Sequence, residues 1–158
     1  MGTRVRRFGI LTSGGDCPGL NAAIRGVAKA ASGRYGMEVV GISRGYRGLI
    51  EGEARTLGQD DFSGILTLGG TILGASREKP FKSCDEGSCS DAEAGMDKPE
   101  RILENMDRLK LDALVVLGGN GTNTTAHLLS QRGVPVIGLP KTIDNDIAET
   151  DETFGFNS

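Results

Sequence analysis

Residues 113–122 read ALVVLGGNGT, an uninterrupted apolar run that passes directly into a turn with three glycines. The apolar run predicts a buried strand over 113–117, of the kind found inside parallel sheets. A helical pattern follows over 123–131, and a second strand is predicted over 135–139. Neighbouring parallel strands need a crossover connection, usually a helix. The stretch therefore predicts a strand–turn–helix–strand unit of a parallel sheet.

The same order of elements occurs at the beginning of the chain. A short apolar strand over 7–11 leads into a glycine-containing loop, and a helix follows over 20–31. Its apolar positions Leu20, Ile24 and Val27 have helical spacing, and 37–42 form the next strand. This repeat predicts an α/β fold: a doubly wound, mostly parallel sheet with helices on both faces, in three layers.

Between these two units the sequence gives weaker signals. We expect a loop with an exposed turn over 45–58 and a weak short helix over 60–66. A glycine turn over 69–77 and a long polar surface excursion over 78–97 come next. An amphipathic helix is predicted over 99–109, with a proline near its first turn.

The composition limits the classes of function. The 25 glycines exceed the roughly 11 expected at average usage, which indicates tight turns or close approach of backbone to a ligand. The net charge of −3 and the scarcity of aromatic residues argue against a nucleic-acid or anionic-membrane partner. We find no secretory signal or membrane-spanning run, so we expect a cytoplasmic protein. Cys17, Cys84 and Cys89 are an odd set, which argues against disulfides; we interpret Cys84 and Cys89 as loop thiols.

Three glycine-rich turns share a design that suits phosphate. They are Thr12-Ser13-Gly14-Gly15-Asp16, Gly69-Gly70-Thr71 and Gly118-Gly119-Asn120-Gly121-Thr122. At the end of a strand, glycines let backbone N–H groups face outward, and a following helix adds its positive end. A single such turn is equally well explained by local geometry, and none matches a Walker A or G-x-G-x-x-G pattern. Together they favour a polyphosphate or nucleotide, with Arg77 placed to neutralise phosphate charge.

Residues 140–146 read PKTIDND and follow a buried strand directly. Phosphoryl transfer to an alcohol needs a carboxylate that accepts the hydroxyl proton and a divalent metal that holds the phosphates. In an extended segment, alternation points Thr142, Asp144 and Asp146 to one side. An Asx-rich turn without function is the alternative.

Four motifs now stand in one order: T-S-G-G-D-x-P-G-x-N, G-G-T-x-L-G-x-x-R, G-G-x-G-T and P-K-T-I-D-N-D. The set closely resembles the amino-terminal half of the 6-phosphofructokinase family, over about Phe8 to Phe156. Each motif alone is moderately specific, whereas four in order are highly specific. The resemblance implies a phosphofructokinase-like fold and a glycolytic kinase. Such an enzyme transfers the γ-phosphoryl of ATP to the 1-hydroxyl of fructose 6-phosphate.

By motif match, the resemblance also implies roles for individual residues. Asp144 is expected to be the general base on the sugar hydroxyl, and Thr142 and Ile143 are expected to line the sugar-phosphate site. Asn120 and Asp146 are expected to serve Mg²⁺, and Arg25 matches a position that binds nucleotide effectors in some bacterial members. The donor phosphates are expected to contact Gly15, Arg77, Gly119, Asn120, Gly121 and Thr122.

The sequence departs from the family pattern at two positions that concern the donor. Asn120 stands where many members have an aspartate associated with magnesium, so we expect weaker ligation or action through a bound water. Gly121 is the small residue that goes with ATP, whereas Lys141 goes with pyrophosphate. We predict ATP, because an aspartate at position 121 would project bulk and negative charge towards a nucleotide; a pyrophosphate-dependent enzyme is the alternative.

The length is the third departure, since family members carry a second α/β domain. We expect residues 1–158 to be a single donor-nucleotide-binding domain, the amino-terminal half of a longer enzyme, with little or no activity in isolation. A catalytically inert nucleotide-binding fragment is a further alternative, motivated by Asn120 and the length. The resemblance suggests a homotetramer.

Overall fold

The computed structural model describes residues 5–81 and 98–157. The strands are β1 (Arg7–Thr12), β2 (Glu38–Ile42), β3 (Ala54–Leu57), β4 (Ala113–Gly118) and β5 (Val136–Pro140). The helices are α1 (Leu20–Tyr35), α2 (Gly45–Glu51), α3 (Lys98–Arg108) and α4 (Asn120–Gln131). Two short 3-10 helices, Gln59–Phe62 and Ile65–Thr67, follow β3. Among the described residues no helix combines the length and apolarity needed to span a bilayer.

The strands form one sheet in the order β3-β2-β1-β4-β5. β1 is central and pairs in parallel with β2 on one side and with β4 on the other, and β4 pairs in parallel with β5. Only β3 is antiparallel, to β2. The chain winds outward from β1 through α1 to β2, and outward from β4 through α4 to β5. The winding direction therefore reverses between β1 and β4, which is where ligands bind in sheets of this kind.

Alternating side chains of the strands pack into two cores, one on each face of the sheet. On one face Ile10, Val39 and Val115 pack against α1 and the 3-10 helices. On the other face Leu11, Val40 and Val116 belong to the core that α2, α3 and α4 cover. Each fully buried side chain of this size contributes about 1.5–3 kcal/mol. The predicted three-layer, mostly parallel α/β fold is confirmed.

Residues 45–58, predicted to be a loop, contain α2 and β3 instead. Their glycines lower helix propensity, but Gly45 and Gly48 each meet a steric requirement. Gly45 has φ 63°, and a Cβ on Gly48 would lie 1.7 Å from the carbonyl oxygen of Ser43. The predicted weak helix over 60–66 is the pair of 3-10 helices. Most of the predicted excursion, with Cys84 and Cys89, lies outside the described residues.

Two helices are longer than predicted. α1 continues past residue 31 to Tyr35 and ends at Gly36, whose φ of 62° suits a left-handed cap. α4 begins at Asn120, three residues before the predicted start, because the preceding Gly119 is extended and takes the N-cap position. The second difference matters for the site, since it places Asn120, Gly121 and Thr122 in the first turn of a helix.

Candidate active site

The loops that follow β1, β4 and β5 border one open cleft of about 490 Å³. Every residue predicted from the motifs to serve the donor, the acceptor or the metal lines it. They are Gly15, Arg77, Gly119, Asn120, Gly121, Thr122, Lys141, Thr142, Ile143, Asp144 and Asp146. Arg25, the predicted effector contact, lies elsewhere, and its Nε donates a hydrogen bond to the carbonyl of Phe62 at 3.0 Å.

The amino terminus of α4 supplies backbone donors to the cleft. Its first hydrogen bond to the cap runs from the N–H of Asn123 to the carbonyl of Gly119 at 3.0 Å. The N–H groups of Asn120, Gly121 and Thr122 therefore have no acceptor within the helix. No side chain of the described residues caps this terminus, and no acidic residue lies in its first turn. The free donors and the positive end of the helix together form a site for an anion such as phosphate.

The loop after β1 is tied to the loop that carries Arg77. The N–H of Gly14 donates to the carbonyl of Ser76 at 2.9 Å, and Ser13 Oγ donates to the same carbonyl at 3.1 Å. Gly14 has φ 86°, a conformation that favours glycine. These contacts bring Arg77 to the cleft although it is more than sixty residues away in sequence.

Lys141 crosses the cleft floor from β5 to the loop after β1. Its side chain is only 6% exposed, and its Nζ donates to the carbonyl of Gly15. The described residues give it no carboxylate partner within ion-pair distance. A buried ammonium ion is costly without a counter-charge, so Lys141 makes the cleft receptive to an anionic ligand.

Cys17 lies beside this lysine and is buried and unpaired. Burial raises the pKa of the Cys17 thiol, with the Lys141 charge opposing the rise and Asp16 adding to it. The thiol therefore stays protonated at neutral pH and acts as a packing group.

The loop after β5 is a turn organised by Thr142, not an extended segment. Thr142 Oγ1 accepts a hydrogen bond from the N–H of Asp144 at 3.2 Å and donates to Asp146 Oδ1 at 3.1 Å. Asn145, between the two aspartates, has φ 50°. The backbone therefore forms the Asx-rich turn that was the alternative interpretation of this segment. The side chains of Thr142, Asp144 and Asp146 nevertheless line the cleft. Both carboxylates are exposed to it.

Tyr46 is a cleft residue that the sequence analysis missed. It is 1% exposed, and its Oη donates to the carbonyl of Thr122 at 3.0 Å. Burial raises the pKa of Tyr46 well above its ordinary value, so the hydroxyl remains a donor. The spacing of Tyr46, Leu49 and Ile50 is helical and was the signal available within 45–58.

Comparisons of sequence and of structure show which known proteins this chain resembles. A family model described as phosphofructokinase matches residues 7–158. An ATP-dependent 6-phosphofructokinase of Spirochaeta thermophila is 71% identical over 153 residues, which are 97% of this chain and 41% of that protein. A pyrophosphate–fructose 6-phosphate 1-phosphotransferase of Amycolatopsis methanolica is 46% identical over 96% of this chain and 41% of that protein. The chain thus spans about two fifths of these curated relatives.

A solved structure shares the fold. The phosphofructokinase of Pichia pastoris in the T-state superposes with a TM-score of 0.82 at 34% identity, over 99% of this chain and 17% of that chain.

Proposed function

The chain belongs to the phosphofructokinase family, and we propose that it is the donor-binding domain and catalytic loop of an ATP-dependent 6-phosphofructokinase. One observation carries the proposal. The free helix terminus of α4 and the Thr142–Asp146 turn border the same cleft. A donor phosphate at the first and a sugar hydroxyl at the second would therefore be neighbours, as phosphoryl transfer requires.

In the proposed reaction Asp144 accepts the proton of the 1-hydroxyl of fructose 6-phosphate. The freed oxygen forms a bond to the γ-phosphorus of ATP, and the bond from that phosphorus to the β,γ-bridging oxygen breaks, which gives ADP and fructose 1,6-bisphosphate. The hydrogen bond from the N–H of Asp144 to Thr142 Oγ1 holds the base at the cleft. Thr142 and Ile143 would contact the sugar phosphate.

The charge that develops on the transferring group would be met by fixed positive groups. These are the first N–H groups of α4, together with Arg77 and Lys141. Preorganised donors of this kind stabilise a transition state without having to reorient. Gly15 and Gly119 would let the donor phosphates approach the backbone closely.

The residues present fit a magnesium ion that arrives with the donor. Asn120 and Asp146 offer side-chain oxygens on the cleft wall, and Mg²⁺ commonly uses one or two carboxylates with substrate phosphates and waters. The described residues contain no group of three or more His, Cys, Asp or Glu side chains that could hold a metal ion. Most ligands would therefore come from phosphate and water. When bound, the ion neutralises phosphate charge.

ATP is the proposed donor, and pyrophosphate is the second candidate. A side chain at Gly121 would meet nothing within 4 Å, so this wall of the cleft is open to the remainder of a nucleotide. The relative at 71% identity is named as ATP-dependent. The buried Lys141 favours the alternative, and a relative at 46% identity is named for pyrophosphate.

We further propose that residues 1–158 act with a second domain that completes the acceptor site. Ile143, Phe154 and Phe156 are 62%, 38% and 47% exposed beside the Thr142–Asp146 turn. Apolar side chains grouped at a site rim commonly mark a contact surface. The curated relatives are more than twice as long as this chain. A cytoplasmic homo-oligomer, a tetramer by family resemblance, is part of the proposal.

The test assays the complete enzyme with fructose 6-phosphate and either ATP or pyrophosphate, and measures fructose 1,6-bisphosphate. Asp144→Asn should lower kcat by about 10²–10⁴-fold with the preferred donor. Asp151→Asn, an exposed aspartate outside the cleft, is the matched control and should leave kcat unchanged.

Each outcome of this assay has a definite meaning. Turnover with pyrophosphate alone would replace the ATP proposal with its alternative. Saturable nucleotide binding without turnover of either donor would favour the alternative of a catalytically inert nucleotide-binding protein. Near-normal turnover by Asp144→Asn would remove Asp144 as the base.

A further inference from the structure

Thr153 is a buried polar residue that is neither a predicted site residue nor part of the cleft lining. Its side chain is only 7% exposed. Thr153 Oγ1 donates a hydrogen bond to the carbonyl of Thr142 at 2.8 Å, and Asn145 Oδ1 is a second, more distant neighbour at 3.4 Å. Both contacts go to the turn that carries Asp144. Within the described part of the chain, the Thr153 hydroxyl has hydrogen-bond partners in this turn alone.

The backbone around Thr153 holds the base of the same turn. The N–H of Thr142 donates to the carbonyl of Phe154 at 3.1 Å, and the N–H of Phe154 donates to the carbonyl of Pro140 at 3.3 Å. Lys141 and Phe154 accordingly form a parallel bridge. Thr142 is thus held on its N–H by Phe154 and on its carbonyl by Thr153.

Thr142 in turn contacts both aspartates of the turn, Asp144 and Asp146. Its hydroxyl accepts from the N–H of Asp144 and donates to Asp146 Oδ1. A rotation of the peptide that carries the Thr142 carbonyl would displace the backbone that follows it, including the N–H of Asp144, relative to the Thr142 hydroxyl. The carbonyl bond from Thr153 opposes that rotation.

The segment around Thr153 is itself fixed by packing against the loop after β1. Gly155 has φ 102°, and a Cβ at that position would lie 2.7 Å from Cys17 Sγ. Cys17 Sγ lies 3.7 Å from the carbonyl oxygen of Phe154. The segment that carries Thr153 therefore packs against a buried residue of a neighbouring loop, which limits its movement.

We propose that Thr153 is a positioning residue for phosphoryl transfer, which holds the Thr142 carbonyl and thereby aligns Asp144 and Asp146. The inference rests on the proposed function. It predicts that loss of the Thr153 hydroxyl lowers kcat while leaving donor binding at α4 unaffected.

The experiment compares Thr153→Val, which keeps the shape and removes the hydroxyl, with Thr153→Ser, which keeps the hydroxyl. In the complete enzyme, Thr153→Val should lower kcat by about 10–100-fold, since a displacement of about 1 Å can cost 10²-fold. The KM for the donor should stay within about twofold, because α4 is untouched. Thr153→Ser should recover most of the lost kcat. Thr150→Val is the control and should behave as wild type, since among the described residues the Thr150 hydroxyl bonds only to the carbonyl of Ala148.

A double-mutant cycle tests the route through Thr142. If Thr153 acts through Thr142, the double variant Thr142→Val/Thr153→Val should have a kcat less than about twofold below that of Thr142→Val alone. The effects of mutations at interacting residues are not additive. Fully additive losses would overturn that route. Should Thr153→Val not fold, Thr153→Ala, which cannot crowd the site, should give the same loss of kcat.

The results separate this inference from the proposed function. A wild-type kcat in Thr153→Val, or equal losses of kcat in Thr153→Val and Thr153→Ser, would refute the positioning role of Thr153. Either result would leave the kinase proposal intact. Absence of turnover by the wild-type enzyme with both donors would overturn the kinase proposal, and this inference with it.

Discussion

Replacing Gly118 with alanine tests whether the amino terminus of α4 is the donor site. Gly118 ends β4, and a Cβ there would lie 2.3 Å from Thr122 Oγ1 and 2.5 Å and 2.6 Å from the Cβ and Cγ2 of Thr122. Unstrained contacts between carbon atoms need about 3.5 Å. Thr122 would therefore have to move by about 1 Å, and it lies in the first turn of the helix.

Thr122 has little freedom to move alone. Its side chain is 7% exposed, and its carbonyl accepts the hydrogen bond from Tyr46 Oη. The first turn of α4 must then shift as a unit, or the strand must bend. Overpacking of this kind costs about 1–3 kcal/mol. For a chain of this length each kcal/mol lowers Tm by about 2–4 °C, so Gly118→Ala should lower Tm by about 2–12 °C.

The same displacement should weaken catalysis with the proposed donor. A shift of about 1 Å in the N–H groups of α4 can lower kcat/KM for the donor by about 10²-fold. The measurements are thermal unfolding of this chain and initial rates of the complete enzyme at varied donor concentration. Gly121→Ala is the matched stability control: a Cβ there meets nothing within 4 Å, and alanine is the better helix former, so Tm should not fall. If Gly118→Ala lowers Tm as expected but leaves kcat/KM for the donor unchanged, the helix terminus is not the donor site. An unchanged Tm would instead contradict the overpacking argument.

Three other predictions follow from separate contacts. Gly121→Asp should raise the KM for ATP by about 10–100-fold, because two like charges about 4 Å apart at a dielectric of about 20 repel by about 4 kcal/mol before screening by solvent in the cleft. Gly121→Asn, which adds a side chain of the same size without the charge, should have a much smaller effect. Equal effects of the two variants would show that side-chain bulk, and not charge, is responsible. Asn145→Gly should retain a higher kcat than Asn145→Ala, since the positive φ of 50° at position 145 disfavours alanine by about 1–2 kcal/mol. Equal kcat values would show that this backbone conformation is not what the turn requires. Hydrogen bonds from the N–H groups of Arg6 and Arg7 lower the pKa of Asp112, so the ionised Asp112 stabilises the fold fully above its unfolded pKa of about 3.9 and loses this effect as pH falls through the lower folded pKa. Asp112→Asn should therefore lower Tm at pH 7, by an amount that shrinks below about pH 4. A difference in Tm that does not depend on pH would refute the assignment.

The sheet was largely predictable because its central strands are apolar runs bounded by glycine. β4 and β5 were placed within about one residue of their observed limits. β5 was expected to be buried, but it is an edge strand whose residues are partly or fully exposed. The segment with α2 and β3 was not, since Gly45 and Gly48 suggest a turn. What requires glycine at position 48 is contact with the carbonyl of Ser43, and no local pattern reveals it.

The cleft was predictable because parallel strands bring their carboxyl ends to one edge of a sheet. Motifs far apart in sequence, such as Gly15 and Asp144, could therefore be assigned to one place. The conformation of the Thr142–Asp146 turn could not be inferred, because it depends on which hydroxyl bonds which backbone group. Thr153 carries no sequence signal of its role, since its importance lies in one hydrogen bond to Thr142.

The pairing of β1 with β4 also bears on how the chain folds while it is being made. Hydrogen bonds at this pairing join Arg6 to Asp112, which are 106 residues apart. At about 5–20 residues per second, the ribosome needs on the order of 5–20 s to supply the partner strand. During that interval β1 can pair with β2 but has an open edge on its other side. The strand at the centre of the finished sheet is thus an edge strand throughout the first part of synthesis, with unpaired N–H and C=O groups that another strand could bind.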